Sequence, residues 1–236
     1  MTYWGVVFAR GGSRAVPGKN LREVGGLPLV GHSITTGLAI PDIMELFCST
    51  DSEDIADVAR NFGATIPFIR PAELASDESP EWAAWQHFAR YLMSQGAHED
   101  DAMVSLPTTS PLRSVQDVQA AISRFEFGGV DAVVTVTQAS RSPWFNMVSM
   151  DGQGHVRVVI ESEGGGPVRR QDAPGVFDLT TVAYVVSLNH ILSSSRLFGG
   201  VVAGVQVPQE RGLDIDSELD LVMADFLFRR AESGAR

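Results

Sequence analysis

Two groups of residues at opposite ends of this 236-residue chain carry side chains suited to chemistry. The first is Phe8–Leu21, FARGGSRAVPGKNL, where Gly11, Gly12 and Gly18 stand among Arg10, Arg14 and Lys19. Glycines let a ligand approach backbone N–H groups, and the cations add charge; together they suit a phosphate chain. Spacing excludes two familiar phosphate loops. A Walker-type loop needs G-x-x-x-x-G-K-[ST], but five residues separate Gly12 from Gly18 and Asn20 replaces the metal-binding hydroxyl. A dinucleotide loop needs G-x-G-x-x-G, which is absent. A surface turn with incidental cations is the plain alternative. So dense a cluster directly after the first apolar run, Tyr3–Ala9, weighs against it.

The second group is Asp214-Ile215-Asp216. Period-two spacing in an extended segment places both carboxylates on one side and Ile215 on the other. Such an oxygen pair suits Mg²⁺ shared with substrate phosphates. The same residues would also serve as an acidic cap for the last helix. A phosphate loop in the same chain tips the reading toward a metal. Two further segments are less specific. Pro107–Arg113 offers Thr108, Thr109, Ser110 and Arg113, which fit either a cleft wall or a plain turn. Arg169–Asp172 fits a solvated charge run as well as a site.

These residues need elements to hold them. Strands are expected at Tyr3–Ala9, Met44–Ser49, Ile66–Ile69, Ala102–Leu106, Val130–Val136, Val182–Ser187 and Val201–Val207. Helices are expected at Pro28–Ala39, Glu53–Phe62 and Glu81–Gln95, with another capped by Ser114 and Asp117 in capping-box spacing. A last helix starts at Asp216-Ser217, with Leu219, Val222, Met223, Phe226 and Leu227 as its apolar stripe. Repeated strand–loop–helix alternation predicts an α/β fold with a mostly parallel sheet and helices on both faces. The pattern breaks between residues 140 and 175, where Met147–Met150 and Val156–Ile160 flank Asp151-Gly152 as a β-hairpin. The chain therefore reads as one domain, 1–236, carrying that excursion.

Composition narrows the class. Hydrophobic residues are 44% of the chain, enough for a large core. The net charge of −11 argues against non-specific nucleic-acid binding and makes the basic loop stand out. One cysteine, Cys48, allows no internal disulfide and reads as core; a reducing cytoplasm fits. Without a leader-like segment or a long apolar run, a soluble cytoplasmic protein is expected, with no membrane partner. The five histidines show no ligand spacing, Trp82 and Trp85 read as packing, and Glu99-Asp100-Asp101 as a solvated turn.

ARGGSRAVPGKNL resembles the opening signature of the acylneuraminate cytidylyltransferase family, the CMP-sialic acid synthetases and relatives. Five further segments line up in order: Ser49-Thr50-Asp51, Arg70–Ala75, Thr109–Arg113, Arg170-Gln171-Asp172 and Asp214-Ile215-Asp216. The resemblance implies a Rossmann-like three-layer sandwich. It also implies CTP and Mg²⁺ as cosubstrate and cofactor, and transfer of CMP to an acidic small molecule with release of pyrophosphate. By that resemblance Arg10 and Lys19 hold the triphosphate, Asn20 and Arg70 lie around the cytidine, and Asp214 and Asp216 bind metal. The resemblance further implies that the hairpin dimerises and reaches into the neighbour's cleft, which would give Arg170 an acceptor-side role in trans. The nucleotide-binding set is expected to be Ala9, Arg10, Gly11, Gly12, Ser13, Lys19, Asn20, Arg70, Asp77 and Ser79. The catalytic set is Arg10, Lys19 and Asp214. The acceptor set is Thr108, Thr109, Ser110, Arg113, Arg170, Gln171, Thr180 and Tyr184.

Departures fall on the acceptor side. Sialate-activating members carry Gln-Pro-Thr-Ser-Pro-Leu-Arg; here Pro107-Thr108 precede Thr109-Ser110, and the Gln is missing. Their Asn-Gly-Ala-Ile-Tyr run is replaced by Thr180-Thr-Val-Ala-Tyr184. The expected acceptor is therefore another nonulosonic acid, or a small phosphonate or carboxylate, rather than a standard sialic acid. A CMP-N-acylneuraminate synthetase proper is the near alternative. A nucleotide-sugar glycosyltransferase would want its Asp-x-Asp in mid-chain and has no use for a basic N-terminal loop. A non-catalytic nucleotide-binding module would be expected to lose Lys19 or an aspartate, and neither is lost.

Overall fold

The computed structural model describes residues 1–13, 16–161, 169 and 172–234, with side chains through 231. Six strands form the central sheet: β1 Tyr3–Phe8, β4 Ile43–Ser49, β5 Ala102–Ser105, β6 Ala132–Gln138, β9 Phe177–Ser187 and β10 Val202–Gln206. Their order is β10-β6-β9-β5-β1-β4. All neighbours run parallel except β9, which lies antiparallel between β5 and β6. The sheet is thus mixed and mostly parallel, as the alternation predicted.

Strand alternation splits the core into two layers. Val7, Cys48, Val104 and Val185 face α1 (Leu29–Leu38), α2 (Glu53–Asn61) and α4 (Val115–Glu126). Val6, Phe47, Met103, Tyr184 and Val186 face α3 (Glu81–Ser94) and α5 (Leu188–Ser193). At helical spacing, Ile55 and Ala59 of α2, Trp85, Phe88, Ala89 and Leu92 of α3, and Val118, Ala121, Ile122 and Phe125 of α4 are buried. Ser114 and Asp117 form the capping box at the start of α4. A small antiparallel ribbon, β2 Glu23–Val24 with β3 Leu27–Pro28, and helix α5 had no clear signal in the sequence. The excursion contains the hairpin β7 Val148–Met150 with β8 Val156–Val158.

Three local expectations are corrected. Ile66–Ile69 is not a strand: it makes only isolated bridges at Thr65 and Ile69, and Pro67 between them has no N–H to donate. Asp101 is not a solvated turn residue. It is buried, and its carboxylate accepts from the backbone N–H of Thr2 at 2.7 Å and of His98 at 3.0 Å. The last helix, α6 Glu218–Gly234, turns its other face inward. Leu221, Ala224 and Phe228 pack on Val16, Val24, Leu29 and Ile215, while Leu219, Val222, Met223 and Phe226 are exposed. The sequence offers two apolar faces there, and the ribbon selects the one that buries Ile215.

Candidate functional site

Because β1, β4 and β5 run parallel, their carboxyl ends open on one edge of the sheet, where ligands sit in such folds. The basic loop leaves β1, Thr50-Asp51 leave β4, and Leu106–Arg113 leave β5. A cavity of about 460 Å³ lies over them. Its lining joins Phe8, Arg10, Gly12, Ser13, Lys19 and Asn20 to Arg70, Asp77, Ser79 and Glu81, then to Thr108, Thr109, Thr181 and Tyr184, and to Asp214 and Asp216. Side chains more than two hundred residues apart in sequence thus face one space.

Internal bonds fix the loop. Gly18, with φ of +63°, starts a tight turn over Lys19–Leu21 that only glycine enters freely. The backbone N–H of Gly11 donates to Asp51 Oδ1 at 2.9 Å. Asn20 is buried; its Nδ2 donates to the carbonyl of Arg10 at 2.7 Å, and its Oδ1 accepts from Thr108 Oγ1 at 2.6 Å. Asn20 therefore ties the β1 loop to the β5 loop as well as lining the cavity. Lys19 Nζ donates to the carbonyl of Ile215 at 2.7 Å and lies 3.4 Å from Asp216 Oδ1. Arg10 pairs with Asp77 at 2.8 Å across the mouth. Arg14 lies outside the described residues.

Arg70 is buried, 3.7 Å from Asp51, and its Nε lacks a protein partner among the described residues. Burial pulls its pKa below the usual guanidinium value, against the pull of Asp51. Asp214 is the complementary case: its Oδ1 is buried without a hydrogen-bond partner among the described residues. An orphaned carboxylate oxygen costs free energy unless a ligand meets it. The Asp-Ile-Asp segment, outside any strand or helix, alternates as its spacing predicted: Ile215 is fully buried, its N–H donates to the carbonyl of Thr109 at 2.9 Å, and both aspartates face the cavity. Two hard oxygen donors beside a phosphate loop fit a magnesium ion that keeps waters and substrate oxygens as its other ligands.

The acceptor-side residues divide. Thr108, Thr109 and Tyr184 line the cavity. Arg113 does not: its guanidinium is wholly buried behind the β5 loop, bonded to the carbonyl of Pro107 and, at 3.2 Å, to Ser33 Oγ. Burial pulls its pKa down to about 9, against Asp117 and Asp214. Ser110 is buried too, its hydroxyl 2.8 Å from that of Thr181. Ala9 is buried under the loop. Thr180 turns away, donating to Thr135 Oγ1 at 2.8 Å, and Thr181 takes the cavity position instead. The cause is an irregularity in β9: Val134 pairs with Tyr184, but the next residue, Thr135, pairs with Thr180. The extra residues on β9 reverse the alternation, so Thr181 and Tyr184 share the cavity face. Arg170 and Gln171 lie outside the described residues.

Sequence reasoning did not single out three contributors. Asp51 anchors both Gly11 and Arg70, and the Ser49-Thr50-Asp51 segment was its signal. Thr181 had none. Glu81 looked like an ordinary first-turn helix residue. Burial among its neighbours pushes the Glu81 carboxyl above the usual range although part of the residue is open to the cleft; Trp85 and Arg70 pull the other way. Burial also pushes the Tyr184 hydroxyl up, and Glu81 and Asp214 add to it.

Residues 4–146, more than half of the chain, match the family model for cytidylyltransferases. The chain belongs to the cytidylyltransferase family. It is 30% identical to the CMP-N,N'-diacetyllegionaminic acid synthase of Campylobacter jejuni, over 94% of this chain and 92% of that one. It is 29% identical to the post-translational flagellin modification protein B of Campylobacter coli, over 98% and 96%. In fold it resembles CMP:2-keto-3-deoxy-manno-octonic acid synthetase solved with CTP, at a TM-score of 0.71 and 14% identity, covering 98% of this chain and all of that one. As a CTP-dependent cytidylyltransferase it is a nucleotidyltransferase, and its α/β sheet is of the Rossmann-like kind. No helix among the described residues is long and apolar enough to cross a membrane.

Proposed function

We propose that this cytidylyltransferase moves CMP from CTP to a hydroxyl of an acidic nine-carbon sugar of the nonulosonic class other than a standard sialic acid, as a biosynthetic step. The observation that carries this is the single cavity joining Arg10 and Lys19 to Asp214 and Asp216. The name of the Campylobacter jejuni relative, a CMP-N,N'-diacetyllegionaminic acid synthase, supports the acceptor class. The missing Gln before Thr109 and the Thr180–Tyr184 run in place of Asn-Gly-Ala-Ile-Tyr support its departure from sialate.

The residues divide the work by position. Ala9, Gly11, Gly12 and Ser13 present the β1 loop to the triphosphate. Asn20, Arg70, Asp77 and Ser79 border the nucleoside. Thr108, Thr109, Thr181 and Tyr184 form the acceptor wall, with Ser110 and Arg113 positioning it from behind; Arg170 and Gln171, outside the described residues, are assigned to the acceptor by the family resemblance alone. The acceptor oxygen attacks the α-phosphorus as the bond from that phosphorus to the bridging oxygen breaks, and pyrophosphate leaves. Arg10 and Lys19 offset the charge gathered on the leaving group. Asp214 takes the acceptor's proton. Asp214 and Asp216 would hold Mg²⁺, which when bound neutralises phosphate charge and acidifies the acceptor hydroxyl.

The excursion at 140–175, within a single 1–236 domain, is the dimerisation element. Val148, Met150 and Val156 of the hairpin and Phe177 and Leu179 of β9 are exposed apolar residues that a second copy would cover. The enzyme acts as a cytoplasmic homodimer, with the hairpin reaching the neighbour's cleft. Pyrophosphate release from CTP and Mg²⁺ across a panel of sugar acids tests the reading. Turnover confined to nonulosonic acids such as N,N'-diacetyllegionaminic acid is expected; N-acetylneuraminate as the best substrate overturns it.

A further inference from the structure

We propose that Glu81 determines acceptor specificity: its carboxylate accepts a hydrogen bond from an N–H or hydroxyl donor on the acid that receives CMP. The inference rests on the functional reading above. Glu81 is the first residue of α3 and lines the cavity near Phe8, Ala84, Tyr184 and Asp214. The other acidic residues of the cavity have work: Asp77 pairs with Arg10, and Asp214 and Asp216 face the triphosphate with Lys19 between the loop and the motif. Glu81 has no such role. Trp85 Nε1 donates to its Oε1 at 3.2 Å, and no Lys or Arg among the described residues lies within ion-pair distance.

Its neighbours put it on the acceptor side. Trp85, which holds the carboxylate, packs its ring 5.5 Å from that of Tyr184, and Trp85 in turn stacks on Phe8 at 6.2 Å. The floor of the cleft between β1 and β9 is therefore aromatic, and Glu81, an exposed residue held by Trp85, stands at its edge. A carboxylate cannot donate when ionised. In a cleft built to admit two anionic substrates it repels both unless one presents a donor to it. Acceptors without that donor cover the carboxylate and leave the oxygen that Trp85 does not meet without a partner, which is how a site rejects a close analogue.

The test uses the full-length enzyme with CTP, Mg²⁺ and N,N'-diacetyllegionaminic acid, followed by pyrophosphate release. Glu81→Gln, which keeps shape and removes charge, should raise the acceptor KM about tenfold or more. The KM for CTP and the thermal shift induced by CTP should stay within twofold and one degree or so of wild type, roughly the noise of such assays. Glu81→Asp, which keeps the charge and withdraws it by one methylene, should also raise the acceptor KM. An unchanged acceptor KM in either variant, whatever happens to the melting temperature, overturns the proposal and leaves Glu81 a helix-stabilising residue. A raised KM for CTP, or lost discrimination between CTP and UTP, also overturns it by placing the carboxylate on the nucleotide. Wild-type enzyme that releases no pyrophosphate with any sugar acid would instead sink the functional reading, a separate result.

Discussion

Lys19 Nζ is hydrogen-bonded to the backbone carbonyl of Ile215 at 2.7 Å, across 196 residues of sequence. That bond joins the phosphate loop to the centre of the Asp-Ile-Asp segment. It fixes the ammonium at the cavity, so that in the proposed reaction the cation is in place before the triphosphate arrives. Preorganised charge of this kind needs no rearrangement at the moment of reaction.

Lys19→Ala should therefore lower kcat by roughly 10²–10³-fold by removing charge on the leaving group. Lys19→Arg should recover little, because a planar fork does not reproduce one point donor aimed at a single carbonyl. Steady-state pyrophosphate release decides it; an arginine variant at wild-type rate would show that charge alone suffices.

Asp214→Asn separates activity from stability. The buried Oδ1 has no protein partner among the described residues, so an amide in its place breaks no hydrogen bond of the fold. The substitution should cut turnover at least about 100-fold while leaving the melting temperature near that of the wild type. A folded variant with near-wild-type turnover would move the metal and the proton acceptor elsewhere.

Thr108→Val keeps volume and deletes the hydroxyl that donates to Asn20 Oδ1 at 2.6 Å. The amide oxygen is left buried and unsatisfied, at a cost of about 1–3 kcal/mol. Because Asn20 also holds the Arg10 carbonyl, the loop should loosen and the KM for CTP should rise, with a smaller change in kcat. Isothermal titration with CTP reads the loss directly; unchanged affinity would show that the loop holds its shape without this bridge.

The pH dependence of stability has one clear source in α4. Burial pushes the Asp117 carboxyl up, but bonds from Arg211, at 2.7 and 3.0 Å, and from Ser114 outweigh it and hold the pKa below the usual carboxylate value. A depressed folded-state pKa stabilises above the unfolded value of about 3.9 and is lost as pH falls through the folded value. Urea unfolding should show wild-type stability dropping below about pH 4. Asp117→Asn should be weaker at pH 7 and show less of that drop; an identical slope in both proteins would assign the acid lability to other carboxylates.

The sequence by itself determined the frame and the two segments that meet at the cavity. Apolar runs of period two and stripes of period 3.6 depend on near neighbours along the chain, so β1, β4, β5, α2, α3 and α4 were legible. So was the loop from Arg10 to Asn20, whose glycines and cations are contiguous, and the Asp214–Asp216 pair, whose shared side follows from extended geometry alone. Tertiary structure decided the rest. Thr181 rather than Thr180 faces the cavity because β9 carries extra residues against β6, and a strand's alternation cannot reveal a slip imposed by its partner. Arg113 went behind the wall because Ser33 and the carbonyl of Pro107 were there to receive it. α6 had two apolar faces, and contact with Val16, Val24, Leu29 and Ile215, far away in sequence, chose between them. Glu81 became part of the cleft because α3 packs Trp85 against Tyr184, a contact between residues 99 positions apart that no local pattern encodes.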